Sequence, residues 1–225
     1  MAELILALDT PDGHAALSIV DATGPNWVKV GSVLFVREGP AFVRSLVDRG
    51  LEVFLDLKWH DIPNTVSGAV ANARDLGVRM ATVHALGGPE MMAAAARSAG
   101  ADLDIVAVTV LTSHTAASFG EATGREAPDL GADAIRLSRN ALEAGLPGVV
   151  CSPHEARGVR TVLGAGSLIV VPGIRRPDDA PGDQSRTATP LEAAAAGATH
   201  LVVGRPILLA KDPAAVWAEL SYGLE

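Results

Sequence analysis

One cysteine, Cys151, is all that the 225 residues contain, so no internal disulfide can staple the chain and its stability must come from a packed core. Runs of Lys or Arg are missing too. With 18 basic against 26 acidic residues, a net charge of −8 and a pI near 5.2, neither nucleic acid nor an anionic membrane is the expected partner. An anionic small molecule would need cations placed locally. No apolar stretch of membrane-spanning length and no cleavable signal is legible, which makes the cytoplasm the expected location. Metal and nucleotide-cofactor motifs are equally scarce. His60, His84, His114, His154 and His200 are scattered without an HExxH or other paired spacing, Gly164-Ala165-Gly166 lacks the third glycine of a dinucleotide fingerprint, and no P-loop occurs. A dedicated zinc site and a nicotinamide cofactor are therefore not expected.

Core-forming material, in contrast, is plentiful, at 48% hydrophobic residues and a mean hydropathy of +0.28. Short apolar runs alternate with helical segments from end to end. The runs Leu4 to Asp9, Asn26 to Gly31, Glu52 to Lys58, Arg79 to Ala85, Asp104 to Val110, Gly148 to Ser152, Leu168 to Gly173 and His200 to Arg205 read as strands. Pro63 to Leu76, Pro89 to Ser98, Pro128 to Ala144, Pro153 to Leu163 and Pro190 to Ala196 read as helices, several opening at proline and closing near glycine. Eight β-α units without a linker between them predict an α/β fold, a single (β/α)8 TIM barrel over residues 1–225, with an open doubly wound sheet as the alternative.

The stretch Glu52 to Thr65, EVFLDLKWHDIPNT, is the centre of this organisation. Asp56 and Lys58 interrupt an apolar strand with charge, share one face by the two-residue repeat, and are followed by Asp61 in a turn before Pro63 opens a helix. An ammonium flanked by carboxylates at a strand's C-terminal end is costly to desolvate, which favours a working centre over a structural ion pair. Other strands end in polar groups at the same rim: Asp9, Lys29 before Gly31, His84, and Gly204-Arg205. Asp9 and Lys29 alone fit solvent-facing charges equally well. Gly204-Arg205-Pro206 reads as a strand end feeding a helix start, suited to a phosphate. Ile174 to Arg186 has no apolar periodicity and reads as a surface lid, and Ser113 to Arg125 as a similarly long segment. Cys151 with His154 is better read as a buried, inert thiol than as a nucleophile and its base.

These residues also carry a resemblance. Asp56-x-Lys58-x-x-Asp61-Ile62-Pro63-Asn64-Thr65 resembles the signature of the orotidine 5′-phosphate decarboxylase family, and Leu6 to Asp9, Lys29 to Gly31, Val108 to Ser113, Val150 to Ser152, Val171 to Arg175, Asp183 to Arg186 and Val202 to Ile207 resemble family segments in the same order. The resemblance implies cofactor-free decarboxylation of orotidine 5′-monophosphate to UMP, the last step of pyrimidine nucleotide synthesis. It implies that Lys58 protonates pyrimidine C6 while Asp56 and Asp61 hold its ammonium, and that Asp9, Lys29 and Thr65 contact the ribose. It further implies that Ile62, Pro63 and Asn64 border the substrate, that Thr112 faces the pyrimidine, and that Gln184, Arg205 and the backbone near Gly204 take the phosphate, with Arg175 at the lid's base. A homodimer with shared active sites is implied as well. The chemistry agrees, because loss of carbon dioxide from a ring carbon leaves a carbanion that needs a fixed cation and a proton donor. The shorter D-x-K-x-x-D is shared with Mg²⁺-dependent sugar-phosphate decarboxylases and aldolases, which supply the alternative; a phosphate-binding barrel without catalysis would not need the charged triad.

Overall fold

The two-residue alternation along each apolar run gives every strand two buried faces, and a sheet buried on both faces must be covered by helices on one side and filled on the other. The structure, a computed structural model, describes residues 2–10, 12–177, 179 and 186–224. It has parallel strands β1 Glu3–Ala7, β2 Trp27–Gly31, β3 Glu52–Trp59, β4 Met80–His84, β5 Asp104–Val108, β6 Gly148–Val150, β7 Leu168–Pro172 and β8 His200–Val203, closed in sequence order with β8 paired to β1. That closure decides for the TIM barrel over the open sheet.

The helices are α1 Gly13–Thr23, α2 Ser32–Asp48, α3 Pro63–Asp75, α4 Gly88–Ala99, α5 Ala116–Thr123, α6 Leu130–Glu143, α7 Pro153–Leu163, α8 Pro190–Ala195, α9 Arg205–Leu208 and α10 Pro213–Ser221. Leu4, Leu6, Val28, Val30, Val53 and Leu55 point outward into the layer between barrel and helices, whereas Ile5, Ala7, Trp27, Phe54, Met80, Val106, Val170 and Val202 fill the barrel's interior. At about 1.5–3 kcal/mol for each large side chain taken from water, these two layers are the main source of stability. Trp27 and His200, in edge-to-face contact at 5.1 Å between ring centroids, plug the end where the strands begin. The opposite end is left for chemistry.

Three sequence expectations shift. Most strands end one or two residues early, so Asp9, Ser152 and Gly173 lie beyond the ladder and Arg205 opens the short helix α9. The helix expected from Pro128 begins two residues later, at Leu130, because the Asp129 carboxylate accepts the N–H groups of Gly131 and Ala132 and so caps it. The segment Ser113 to Arg125 is not a plain loop: Thr115 and Ser118 cap each other's backbone and start α5.

Candidate active site

The rim at the strand ends surrounds a cavity of about 520 Å³, within the range of small-molecule sites. Four charges cross its floor in alternating sign. Lys29 Nζ lies 2.7 Å from Asp9 Oδ1 and 3.7 Å from Asp56 Oδ2, and Lys58 Nζ donates to both Asp56 oxygens at 2.9 and 2.8 Å. Lys29 is 9% exposed and Asp56 13%, so each depends on its neighbours for compensation. Gly31 makes room for this line: a Cβ there would sit 3.1 Å from Lys29 Nζ and 3.2 Å from Asp9 Oδ1. Burial works to raise the Asp56 pKa, but the Lys29 and Lys58 ammonium groups, with hydrogen bonds from Lys58 and Thr82, outweigh it and hold the carboxyl below its ordinary value. Asp56 is therefore ionised at neutral pH.

Lys58 reaches its place through an irregular backbone. Between the paired residues Leu55–Ala81 and Trp59–Val83, β3 advances four residues while β4 advances two, and Lys58 takes a left-handed φ of 51° within that bulge. Its N–H donates to Thr82 Oγ1 at 2.8 Å, and the same hydroxyl donates to Asp56 Oδ1 at 3.0 Å. Sequence reasoning passed over Thr82, since a threonine in ATVH looks like an ordinary strand former.

Across the cavity stand Arg175, Arg205 and Gly204, with Thr112 on the wall between β5 and α5. The lining holds four cations, Lys29, Lys58, Arg175 and Arg205, against two carboxylates, Asp9 and Asp56, in a chain whose net charge is −8. This is the local positive field that an anionic ligand requires. Thr109, near Thr112 in sequence, instead donates to the Val150 carbonyl at 2.9 Å and is fully buried. Cys151 lines the cavity's depth, but burial pushes its thiol far up, as the inert reading expects. His84 stacks on His60 at 5.4 Å, and burial, aided by electrostatic repulsion from His60, Lys58 and His114, lowers its pKa to about 4.

Of the expected site residues, Asp9, Lys29, Asp56, Lys58, Thr112, Arg175, Gly204 and Arg205 thus come together around one cavity. Asp61, Ile62, Pro63, Asn64 and Thr65 do not line it. All but the half-buried Pro63 are exposed on the rim at the start of α3, and the Asp61 carboxylate accepts the Ile62 N–H at 2.6 Å instead of meeting Lys58. Gln184 lies outside the described residues. The ends of the segment that carries it are tied together by the Ile174–Ala188 bridge, and Arg186 is buried, bonded to the Glu155 carboxylate and donating to the Leu111 carbonyl at 2.9 Å. Among the described residues no group of three or more His, Cys, Asp or Glu is placed to hold a metal ion, and no helix is long and apolar enough to cross a membrane.

Comparison with known proteins gives a consistent picture. The family described as "Orotidine 5'-phosphate decarboxylase / HUMPS family" matches residues 2–220. The orotidine 5′-phosphate decarboxylase of Anaeromyxobacter sp. (strain K) is 50% identical over 220 residues, covering 97% of this chain and 96% of that protein. The enzyme of the same name from Halorhodospira halophila is 51% identical over 223 residues, with 97% and 94% covered. The crystal structure of orotidine 5′-phosphate decarboxylase from Lactobacillus acidophilus superimposes with a TM-score of 0.87 at 35% identity, covering 98% of each chain.

Proposed function

The chain belongs to the orotidine 5′-phosphate decarboxylase / HUMPS family, and from that premise we propose how its barrel mouth carries out the reaction. The chain decarboxylates orotidine 5′-monophosphate to UMP in pyrimidine synthesis. As the bond between C6 and the carboxylate breaks, its electron pair stays on C6 and carbon dioxide departs. Lys58 then gives a proton from Nζ to C6 and recovers one from water. The observation that carries this assignment is the alternating line Asp9–Lys29–Asp56–Lys58, which fixes an ammonium 2.8 Å from an ionised carboxylate. A cation held there is already oriented when negative charge develops on the ring, so little reorganisation is needed. Asp56 supplies the counter-charge of an ammonium, the form a proton donor requires and a Schiff-base nucleophile does not.

Asp9 and Lys29 sit where ribose hydroxyls would find an acceptor and a donor, Thr112 faces the pyrimidine, and Arg205, the Gly204 backbone and Arg175 take the phosphate, joined by Gln184. The exposed Asp61, Ile62, Pro63, Asn64 and Thr65 are assigned to the cavity of a second copy in a homodimer with shared sites. In support, Ile62 and Leu86 lie on adjacent barrel units, 67% and 41% exposed, as apolar surface a partner would cover. A reduced single thiol suits a cytoplasmic location.

Lys58→Ala tests the chemistry. Decarboxylation, followed by the loss of orotidylate absorbance, should fall by at least the roughly hundredfold low end of acid catalysis, with circular dichroism and UMP binding retained. Activity above about a tenth of wild type would remove Lys58 from the role of acid. Running the wild-type assay with a chelator separates the Mg²⁺-dependent alternative, which would lose its activity there.

A further inference from the structure

A proton donor is only as good as its placement, and Lys58 is placed by a backbone that resists the position it occupies. An L residue at φ 51° is disfavoured by about 1–2 kcal/mol, because Cβ crowds its own carbonyl. Among the described residues only Ala127, at φ 43°, shares this conformation without being glycine. Something must hold Lys58 there, and the β3 bulge takes it out of register with β4.

Thr82 meets that need. An ionised Asp56 cannot donate, so the single hydroxyl proton of Thr82 must go to Asp56 Oδ1, 3.0 Å away, leaving the oxygen's lone pair to accept the Lys58 N–H at 2.8 Å. Lys58 Nζ closes the circuit by donating to both Asp56 oxygens. One side chain therefore fixes the donor's main chain and orients the carboxylate that holds the donor's ammonium. Thr82 is fully buried and does not border the cavity, so it has no path to the substrate except through these two residues.

We propose that Thr82 is a positioning residue of the decarboxylation, whose hydroxyl holds Lys58 in its left-handed bulge and orients Asp56 against it. The proposal rests on the assignment of Lys58 as proton donor. A donor displaced by a fraction of an ångström loses much of its catalytic advantage while substrate contacts elsewhere survive, so the hydroxyl should matter to kcat and little to binding.

Thr82→Val keeps the shape and removes the hydroxyl; Thr82→Ser keeps the hydroxyl. Thr82→Val should lower kcat about 10- to 100-fold, in line with the cost of misplacing a reacting group, with KM and the Kd for UMP within about threefold of wild type. Thr82→Ser should stay within about threefold of wild-type kcat. If Thr82→Val lacks a folded far-UV spectrum, Thr82→Ala carries the same expectation. The proposal is overturned if Thr82→Val keeps kcat within about threefold while Lys58→Ala is dead, if Thr82→Ser falls as far as Thr82→Val, or if kcat and UMP affinity decline together. Lys58→Ala retaining a tenth or more of the activity would remove the premise, whichever way Thr82 behaves.

Discussion

A lysine 9% exposed and a carboxylate 13% exposed can share the mouth of a barrel only because each has a counter-charge on either side. Arg205 is half-buried at the first position of α9 and lines the cavity with Gly204, at the end of the molecule's last strand. A phosphate bound there would meet a guanidinium beside the Gly204 backbone. Arg205→Ala should therefore raise KM for orotidine 5′-monophosphate by about 10- to 100-fold, the equivalent of roughly 1.5–3 kcal/mol for a charged hydrogen bond. For orotidine without its phosphate, kcat/KM should hardly change. Steady-state kinetics on both substrates checks this, and an equal proportional loss on the two would show that Arg205 acts through the fold. At this scale the sequence was most legible where charge breaks an apolar run, as at Asp56 and Lys58, because nothing but function justifies the desolvation. It was least legible at Thr82, whose role depends on a bulge in the neighbouring strand. That bulge arises from pairing between β3 and β4, which no local pattern encodes.

Elements at the two ends of the barrel answer to different demands, and the closed end is where pH acts on stability. His200 opens β8, is 8% exposed, contacts the Trp27 ring and pairs its Nδ1 with Thr199 Oγ1 at 2.9 Å. Burial, with a smaller contribution from Arg79, lowers its pKa from 6.5 to about 4. The unfolded chain thus takes up a proton below pH 6.5 that the folded chain refuses. Stability from the neutral ring is complete above pH 6.5, declines as the pH falls toward 4, and is then exhausted; its full size is on the order of 3 kcal/mol. His200→Leu should flatten the fall in Tm between pH 7 and pH 4.5, measured by thermal denaturation, whatever its effect at neutral pH. An unchanged slope would place the linkage elsewhere, His84 being the next group depressed in the same direction. The barrel's strands could be read from sequence because a strand covered on both faces is a short unbroken apolar run. The helix α5 could not, since eight residues including Gly120 carry too little periodicity to stand out from a loop. The cap that starts it, Thr115 with Ser118, is legible only in retrospect.

For the whole molecule, the motif that identifies the family is divided in space: Asp56 and Lys58 line the cavity, while Asp61 and Thr65 sit exposed outside it. Sequence places all four within ten residues, but it cannot say that the strand points two of them into the cavity while Asp61 in the turn and Thr65 at the start of α3 stay outside it. Asp61 has left β3 before α3 begins, and its carboxylate is turned onto the Ile62 N–H at 2.6 Å. Two copies related by a two-fold axis would each receive what the other extends. Mixing two inactive variants tests this. Lys58→Ala and Asp61→Ala homodimers should both lack activity, the first without its acid and the second without the residue it lends. In a mixed dimer, the Lys58→Ala subunit's site would carry both lesions, whereas the other site would combine an intact Lys58 with an intact Asp61 from across the interface. With equal amounts and free exchange half the dimers are mixed, so roughly a quarter of all sites should regain activity. If Asp61 served its own subunit, every site would keep one lesion; exchange verified by mass spectrometry with no return of activity would therefore rule the shared arrangement out.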